Sequence, residues 1–118
     1  MTVDCPFCRI VTGDDTADEL YRDEYAVAFR DINPQTPVHL LVIPRRHIAS
    51  LAEVSDGEVH LLGHLQVIAA QLAEQLDLAR DGYRCVINCG RHGGQTVHHF
   101  HLHLLAGRAM GWPPFPRS

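Results

Sequence analysis

Three histidines alternate with apolar residues near the end of the chain, at His99, His101 and His103. A period of two is typical of a β-strand, in which successive side chains point to opposite faces. The pattern therefore predicts a strand with three imidazoles on one face and an apolar stripe on the other. Charged imidazoles this close would repel one another, so at least some should be neutral. A neutral imidazole is a base, a nucleophile or a metal ligand.

Two chemistries are open to such a strand. One zinc ion held by all three imidazoles is disfavoured, because a straight strand separates the outer two by ~13 Å, whereas zinc binds nitrogen at ~2 Å. Nucleophilic catalysis needs one imidazole to attack and another to donate or orient. The preceding residues 93–96, Gly-Gly-Gln-Thr, offer backbone N–H groups for a phosphate or an oxyanion. The set favours phosphoryl chemistry.

A second group of reactive side chains lies near the N-terminus, where Cys5 and Cys8 form a C-x-x-C. This spacing indicates a metal site or a redox pair. A thioredoxin-type pair is disfavoured, because no strand precedes it and no long helix follows. Zinc would need two further ligands from elsewhere. Cys85 and Cys89 are four apart in a predicted strand and cannot bridge each other, so no disulfide framework is expected.

The elements that must position these residues follow from hydrophobic periodicity. Strands are predicted over residues 19–22, 25–30, 38–43 and 83–89, besides the histidine strand, and a short helical turn should end near Gly13. The S-x-x-E of Ser55 to Glu58 predicts a capping box that begins a long helix, from about Asp56 to Leu78. This order predicts an α+β fold, an antiparallel meander with helices on one face.

The composition favours a single domain over residues 1–118, with a short Pro-rich tail at 111–118. The formal net charge of −4 gives no basic surface for nucleic acid. Neither a signal peptide nor a membrane span is recognisable, so a cytoplasmic protein without membrane partners is expected. Trp112 in the tail suggests docking onto another surface, such as a second subunit. His60 and His64 are interpreted as surface or interface residues.

The run H-F-H-L-H-L-L from His99 to Leu105 resembles the H-φ-H-φ-H-φ-φ signature of the histidine triad (HIT) superfamily. Residues 31–39 and 43–48 are similar to the D-I-x-P-x-x-P-x-H and I-P-K-x-H-I segments of its Hint branch. Gly94–Val97 and Met110–Pro114 resemble that branch too. The resemblance implies a HIT-like fold, an antiparallel five-stranded sheet with one long helix and a short N-terminal helix. It also implies a homodimer.

The resemblance implies hydrolysis of the P–N bond of purine nucleoside phosphoramidates of the adenosine phosphoramidate type. The products would be a nucleoside monophosphate and an amine, formed through a nucleotidyl-histidine intermediate. The implied nucleophile is His101, with His103 and His99 supporting the phosphate and His39 relaying hydrogen bonding. Thr96 replaces a serine that contacts the phosphate or the leaving group. The implied substrate contacts are Phe7, Ile10, Phe29, Asp31, Ile32, Asn88, Gly94, Gln95, Thr96, His101 and His103.

Relatives with an N-terminal C-x-x-C resemble zinc proteins, which implies a structural zinc at Cys5, Cys8, His47 and His99 and no cofactor for catalysis. His98 stands where the branch usually has a tyrosine, so the preferred leaving group is open. Three alternatives also stay open. They are a dinucleoside polyphosphate hydrolase of another HIT branch, a nucleotide-binding regulatory module with incidental catalysis, and a zinc-dependent hydrolase.

Overall fold

The computed structural model describes residues 5–115. Its elements in chain order are α1 (Pro6–Thr12), β1 (Glu19–Arg22), β2 (Ala26–Arg30), β3 (Val38–Pro44), α2 (Val59–Gln75), β4 (Tyr83–Ile87) and β5 (Leu102–Ala106). Short 3-10 turns at Leu51–Glu53 and Asp56–Glu58 precede α2. The predicted α+β class is confirmed, as are the five-stranded antiparallel sheet, the long helix and the short N-terminal helix. Among the described helices, none has the length and apolar character that crossing a membrane requires.

The strand order of the sheet is β1-β2-β3-β5-β4, so the predicted meander is wrong. β5 lies between β3 and β4 and pairs antiparallel with both. β4 alternates exposed and half-buried residues, which suits an edge strand, whereas β5 buries every second residue fully. The long connection through α2 takes the chain from β3 to the edge of the sheet, where it forms β4. The last strand, β5, then lies between β3 and β4.

The two helices pack on opposite faces of the sheet, which corrects the prediction that helices cover one face. Leu40 and Val42 of β3 face α2, whereas Leu41 and Ile43 face α1. Because β3 is apolar at consecutive positions, both of its faces must be covered. The core under α2 consists of Ala26, Ala28, Leu40, Val42, Ile48, Leu65, Ile68, Ala69, Leu72, Ala73, Phe100, Leu102, Leu104 and Ala106.

The local signals at the helix ends agree with the structure to within a turn. Ser55 and Glu58 form the predicted capping box, although residues 56–58 are a 3-10 turn and α2 itself begins at Val59. Cys5 is the N-cap of α1, and Gly13 ends it with a φ of 86°, a conformation that favours glycine. The hairpin between β1 and β2 turns at Asp23, as predicted.

The histidine strand is shorter than the alternation predicts, since β5 begins at Leu102. The ladder with β3 ends at the pair of Val42 and Leu102, and the next position of β3 on that face is Pro44. Proline has no N–H to donate, so the pairing cannot continue. Phe100 instead donates its backbone N–H to the carbonyl of Ile48 at 2.6 Å. The alternation itself persists, with Phe100 in the core under α2.

Candidate active site and metal centre

A cleft of about 730 Å³ opens on the α1 face of the sheet. This volume is in the range of small-molecule sites. The predicted site residues that line it are Phe7, Ile10, Phe29, Asp31, Ile32, His39, Asn88, Gly94, Thr96, His101 and His103. Sequence reasoning missed Pro6, Asp15, Thr16, Ala17, Asn33, Gln35, Leu41 and Val97, most of which lie in irregular segments. The irregular segments carry no periodic signal, whereas Leu41 follows His39 by two in β3 and could have been found from strand alternation.

The cleft has an apolar end and a histidine end. Phe7 of α1 contacts Phe29 of β2 edge to face, with ring centroids 5.5 Å apart. The same ring meets His101 at 5.1 Å, where the apolar wall gives way to imidazoles. Ile32 stands at the mouth, 97% exposed. An apolar wall leading to a polar end matches the two halves of a ligand with a flat ring at one end and an anion at the other.

His39 and His103 meet through the register of the sheet. His103 pairs with Leu41 and His39 pairs with Leu105, so the two histidines are diagonal neighbours on one face. The Nε2 of His39 lies 2.8 Å from the Nδ1 of His103. The backbone N–H of Gln35 donates to the Nδ1 of His39 at 3.0 Å, so that nitrogen carries no proton. A neutral His39 is therefore protonated at Nε2 and donates to His103, which must carry its own proton on Nε2.

His101 has the opposite tautomer. Its Nδ1 lies 2.7 Å from the carbonyl oxygen of His99, which can only accept a hydrogen bond. The proton of a neutral His101 is therefore on Nδ1, and its Nε2 keeps a free lone pair. The predicted relay from His39 reaches His103, while the orienting partner of His101 is a backbone carbonyl. The rings of His101 and His103, whose centroids are 4.8 Å apart, thus present a lone pair and an N–H, respectively, to the cleft.

The electrostatics favour neutral rings. Burial lowers the pKa of His39, His99 and His101 below the usual value for histidine. Burial, together with the neighbouring His101 and His39, lowers the pKa of His103 to about 4, although Asp31 opposes this change. At neutral pH the cluster is therefore uncharged, as the tautomer assignments require.

Asp31 is the first residue of the loop after β2, and its side chain contacts the histidines. Its Oδ1 accepts a hydrogen bond from the backbone N–H of Asn33 at 2.9 Å, which caps the loop. Its Oδ2 is 3.3 Å from the Nε2 of His39. The carboxylate therefore shapes the loop, contacts the histidine chain and still lines the cleft.

The loop between β4 and the histidines closes the polar end of the cleft. The amide of Asn88 donates to the carbonyl of Gly93 at 2.6 Å, which folds the loop back on the end of β4. A Cβ at Gly93 would lie 2.4 Å from the carbonyl oxygen of Cys89, so only glycine fits there. The backbone N–H of Gly94 donates to the carbonyl of Arg91 within the loop, so this N–H is not available to an anion as the sequence predicted.

Gln95 supports this loop and does not line the cleft, which differs from the prediction that it binds substrate. Its side-chain amide donates to the carbonyls of Ala49 and Val97 at 2.7 and 3.0 Å. Its backbone N–H donates to the carbonyl of Gly90 at 3.1 Å. The neighbouring Gly94 and Thr96 do line the cleft, so this segment presents these two residues to a ligand.

The predicted zinc ligands Cys5, Cys8, His47 and His99 come together beside α1, with one ligand atom of each within 4.8 Å of the others. The Nδ1 of His99 lies 3.4 Å from the Sγ of Cys5 and 3.6 Å from the Sγ of Cys8. The Nδ1 of His47 lies 3.2 Å from that of His99 and 3.3 Å from the Sγ of Cys8. A tetrahedral zinc with its usual bond lengths needs ligand separations of roughly 3.3–3.8 Å. The donor set fits zinc.

The surroundings of the cluster also suit a metal. The Nε2 of His99 lies 2.8 Å from the carbonyl oxygen of Pro44, so the proton is on Nε2 and Nδ1 is free to coordinate. The Sγ of Cys5 accepts the N–H of Cys8 at the start of α1, 3.3 Å away. Burial, with the contact to Cys5, raises the pKa of the Cys8 thiol to about 11, so metal binding would release protons.

His99 is fully buried and does not line the cleft, so it cannot touch a ligand there with its ring. This differs from the prediction that it supports the phosphate directly. Its ring belongs to the Cys–His cluster, whereas its carbonyl oxygen orients His101. The residue joins the two clusters without being part of the cleft surface.

Comparison with known proteins agrees with this geometry. The family model described as scavenger mRNA decapping enzyme C-term binding matches residues 4–112. A purine nucleoside phosphoramidase of Escherichia coli K12 is 45% identical over 105 residues, which cover 89% of this chain and 88% of the relative. The chain belongs to the histidine triad superfamily. An uncharacterized HIT-like protein of Synechococcus elongatus is 48% identical over 114 residues, covering 97% of this HIT protein and 99% of the relative.

Solved structures of HIT proteins share the fold. A HIT family hydrolase from Legionella pneumophila superposes with a TM-score of 0.93 at 46% identity, covering 95% of this chain and 100% of that one. A histidine triad protein from Clostridium difficile gives a TM-score of 0.90 at 37% identity, with coverage of 94% and 96%. The HIT-like fold that the family resemblance implied is confirmed.

A second group of potential ligands in this HIT protein consists of Asp31, His39 and His103, whose ligand atoms also lie within 4.8 Å of one another. The rings of His39 and His103 have centroids 5.1 Å apart. Two imidazole rings have this centroid separation when their facing nitrogens are 2.8 Å apart and both lie on the line that joins the ring centres, which is a head-on arrangement. Lone pairs arranged in this way share a proton and do not converge on a common ion. This group therefore acts as a hydrogen-bonded chain.

Proposed function

We propose that this HIT protein hydrolyses the P–N bond of purine nucleoside phosphoramidates, of which adenosine phosphoramidate is the type, to a nucleoside monophosphate and an amine. The observation that carries the proposal is the pair of opposite tautomers at the polar end of the cleft. His101 offers a lone pair at Nε2, and His103 offers an N–H at the adjacent position. The naming of the Escherichia coli relative as a purine nucleoside phosphoramidase supports the same reaction.

In the first step, the Nε2 lone pair of His101 attacks the α-phosphorus and the bond from phosphorus to the amine nitrogen breaks. The Nδ1–H of His101 stays hydrogen-bonded to the carbonyl of His99, which stabilises the positive charge that develops on the ring. The Nε2–H of His103 donates to a non-bridging phosphate oxygen. The departing amine takes up a proton relayed from solvent through the Thr96 hydroxyl on the cleft wall.

In the second step, a water molecule attacks the phosphorus of the nucleotidyl-histidine. The bond between phosphorus and the Nε2 of His101 breaks, and the ring recovers its lone pair. The water supplies the new phosphate oxygen and releases a proton to solvent. The net reaction consumes one water and yields a nucleoside monophosphate and an amine.

The rest of the cleft supports a nucleotide as the substrate class. Phe7, Ile10 and Phe29 provide an apolar wall for a flat base, and the exposed Ile32 can cover its other face. In this arrangement the carboxylate of Asp31 accepts hydrogen bonds from ribose hydroxyls. Asn88 and Gly94 contact the phosphate side.

We propose that Cys5, Cys8, His47 and His99 hold a structural zinc, on the basis of the ligand separations and tautomers described above. Four protein ligands leave no open position for a substrate. The zinc would stabilise the packing of α1 against the segment around His99, while catalysis uses the histidines of the cleft.

We propose that the protein is a homodimer whose interface includes the β4 edge. Tyr83 and Ile87 of β4 are each 37% exposed, and Val67 of the adjacent α2 is 52% exposed. A small groove beside them has an apolar lining that includes Leu62 and Phe100. Exposed apolar residues on an edge strand, whose one charged side chain, Arg84, donates to the carbonyl of Gly111, form a favourable pairing surface. The Ile87→Lys substitution should yield monomers in light scattering after size exclusion.

The decisive experiment compares wild type with His101→Ala on adenosine phosphoramidate. Wild type should turn over, and the substitution should lower kcat/KM by roughly 10⁴-fold or more, because it removes the nucleophile. Wild type quenched in denaturant at alkaline pH, where a bond between phosphorus and an imidazole nitrogen survives, should contain a nucleotide bonded to His101 by mass spectrometry. Thermal unfolding and AMP binding control for folding.

Three other results would support other functions. AMP binding without turnover beyond the His101→Ala background would indicate a regulatory nucleotide-binding module. Preferential cleavage of diadenosine polyphosphates would indicate a polyphosphate hydrolase. Immediate loss of activity with a chelator would indicate a zinc-dependent hydrolase.

A further inference from the structure

The loop after α1 brings a carboxylate to the apolar end of the cleft. Asp15, Thr16 and Ala17 all line the cleft, on the same side as Phe7 and Ile10. Ala17 packs into the core beneath α1, which anchors this loop to the apolar wall. An acidic side chain beside aromatic and aliphatic residues is unexpected in a site for an anionic ligand, since it repels the phosphate unless it faces a different part of the molecule.

Arg9 holds Asp15 in place. The Nε of Arg9 donates to the Oδ2 of Asp15 at 2.8 Å, and the backbone N–H of Asp15 donates to the carbonyl of Arg9 at 3.1 Å. A carboxylate has about four lone-pair sites, so these contacts leave it able to accept further hydrogen bonds. The two contacts with Arg9 orient the side chain, so that it presents acceptors to a ligand.

The position of Asp15 relative to the histidines selects the part of the nucleotide that it meets. The phosphate belongs at His101 and His103, and the base belongs against Phe7 and Phe29, at the far end. The carboxylate at that end therefore lies near an edge of the base. A carboxylate is a pure acceptor and favours an edge that presents N–H donors.

We propose that Asp15 makes this site prefer guanine over adenine; the inference rests on the proposed function only in that the cleft binds a purine nucleotide. Guanine presents two adjacent donors on its Watson–Crick edge, the N1–H and the 2-amino group. Hypoxanthine presents the N1–H alone. Adenine presents a lone pair at N1, which a carboxylate repels, beside its 6-amino group.

The test is calorimetric binding of GMP, IMP and AMP to wild type, Asp15→Asn and Asp14→Asn. Asp14 is the matched control, because it is an adjacent carboxylate that pairs with the Thr12 hydroxyl and does not line the cleft. Wild type should bind GMP about tenfold more tightly than AMP, at the low end for charge-assisted hydrogen bonds, because the Asp15 side chain is 48% exposed. IMP should fall between them. The preference should shrink to about threefold or less in Asp15→Asn and persist in Asp14→Asn.

Equal affinities for GMP and AMP in wild type would overturn the proposal. So would an Asp15→Asn variant that keeps the full preference, or one that weakens all three nucleotides equally, which indicates a structural role. Thermal unfolding checks that the Arg9 contact is not needed for folding. A parallel turnover assay on guanosine and adenosine phosphoramidates separates the two proposals. No turnover with a retained GMP preference contradicts the reaction, whereas equal turnover and equal binding contradict the role of Asp15.

Discussion

Two clusters that contain imidazoles lie on the same face of the sheet and differ in how their ring nitrogens are arranged. In the Cys–His cluster, the nitrogens of His47 and His99 are 3.2 Å apart while the ring centroids are 5.0 Å apart, so the two nitrogens do not both lie on the line between the rings. In the cleft, the nitrogens of His39 and His103 lie on that line, 2.8 Å apart. The first arrangement directs lone pairs at a common point, and the second directs a proton from one ring to the other.

The difference shows that the partner of the second ring nitrogen determines the role of each histidine. The carbonyl of Pro44 fixes the His99 proton on Nε2 and leaves Nδ1 for a metal. The backbone N–H of Gln35 does the reverse to His39, which becomes a donor to its neighbour. Backbone groups therefore assign the tautomers, and residue type alone does not distinguish a ligand from a catalytic group.

The largest effect that separates the clusters should come from His103→Ala. Loss of the Nε2–H that faces the phosphate should lower kcat by roughly 10²- to 10³-fold, as for other single donors to a developing anion. Metal binding should be unchanged, because His103 contributes nothing to the Cys–His cluster. Steady-state kinetics and Co²⁺ titration measure the two properties. A loss of Co²⁺ binding would contradict the separation of the clusters.

The reciprocal test is the double substitution Cys5→Ser with Cys8→Ser. Zinc content should fall from one per chain to none. When the free zinc concentration is 100 times the Kd of the site, the free energy of unfolding of the variant should be about 2.7 kcal/mol lower than that of wild type. Turnover should stay within about threefold, because the cleft residues are untouched and the His99 segment is also held by the hydrogen bond from Phe100 to Ile48.

The matched control for this experiment is Cys85→Ser with Cys89→Ser, since all four cysteines are free thiols and this pair is outside the cluster. The control should keep its zinc and its stability. Loss of all turnover in the Cys5 and Cys8 variant, with folding preserved, would contradict a purely structural metal and would assign the zinc a part in catalysis.

A smaller effect is expected from His39→Leu, which removes the donor and acts through His103. Without the donor from His39, the proton of His103 is no longer restricted to Nε2, so kcat should fall roughly 10- to 100-fold with little change in KM. Nitrogen chemical shifts of His103 should change from a single tautomer to a mixture. An unchanged tautomer together with reduced kcat would indicate that His39 acts in some other way.

Local patterns predicted the elements well, because each depends on neighbours in the chain. The capping box at Ser55 and the alternation around His101 are examples. The insertion of β5 beside β3 could not be predicted, since it depends on which distant strands pair. The partner of His39 follows from the register of that pairing, and the placement of Asp15 follows from a loop packed against the core. Neither has a periodic signal in the sequence.

The pH dependence of stability tests the neutral state of the cleft. The pKa of His103 is lowered to about 4, with burial as the main cause, and burial also lowers the pKa of His39. An unfolded chain takes up these protons near pH 6.5, so between pH 6.5 and about 4 the unfolded state binds more protons than the folded one. Stability should therefore decrease as the pH falls through this range.

His103→Ala isolates this contribution, because the variant lacks one group whose pKa differs between the folded and unfolded states. Denaturant unfolding of wild type and variant at pH 7, 5.5 and 4.5, in the presence of a chelator, measures the difference. Wild type should lose more stability than the variant as the pH decreases. If the stabilities of wild type and variant fall in parallel with pH, His103 is protonated as readily in the folded protein as in the unfolded chain. Burial would then not hold His103 neutral, and the tautomer that separates it from the Cys–His cluster would be lost as the pH falls through 6.5.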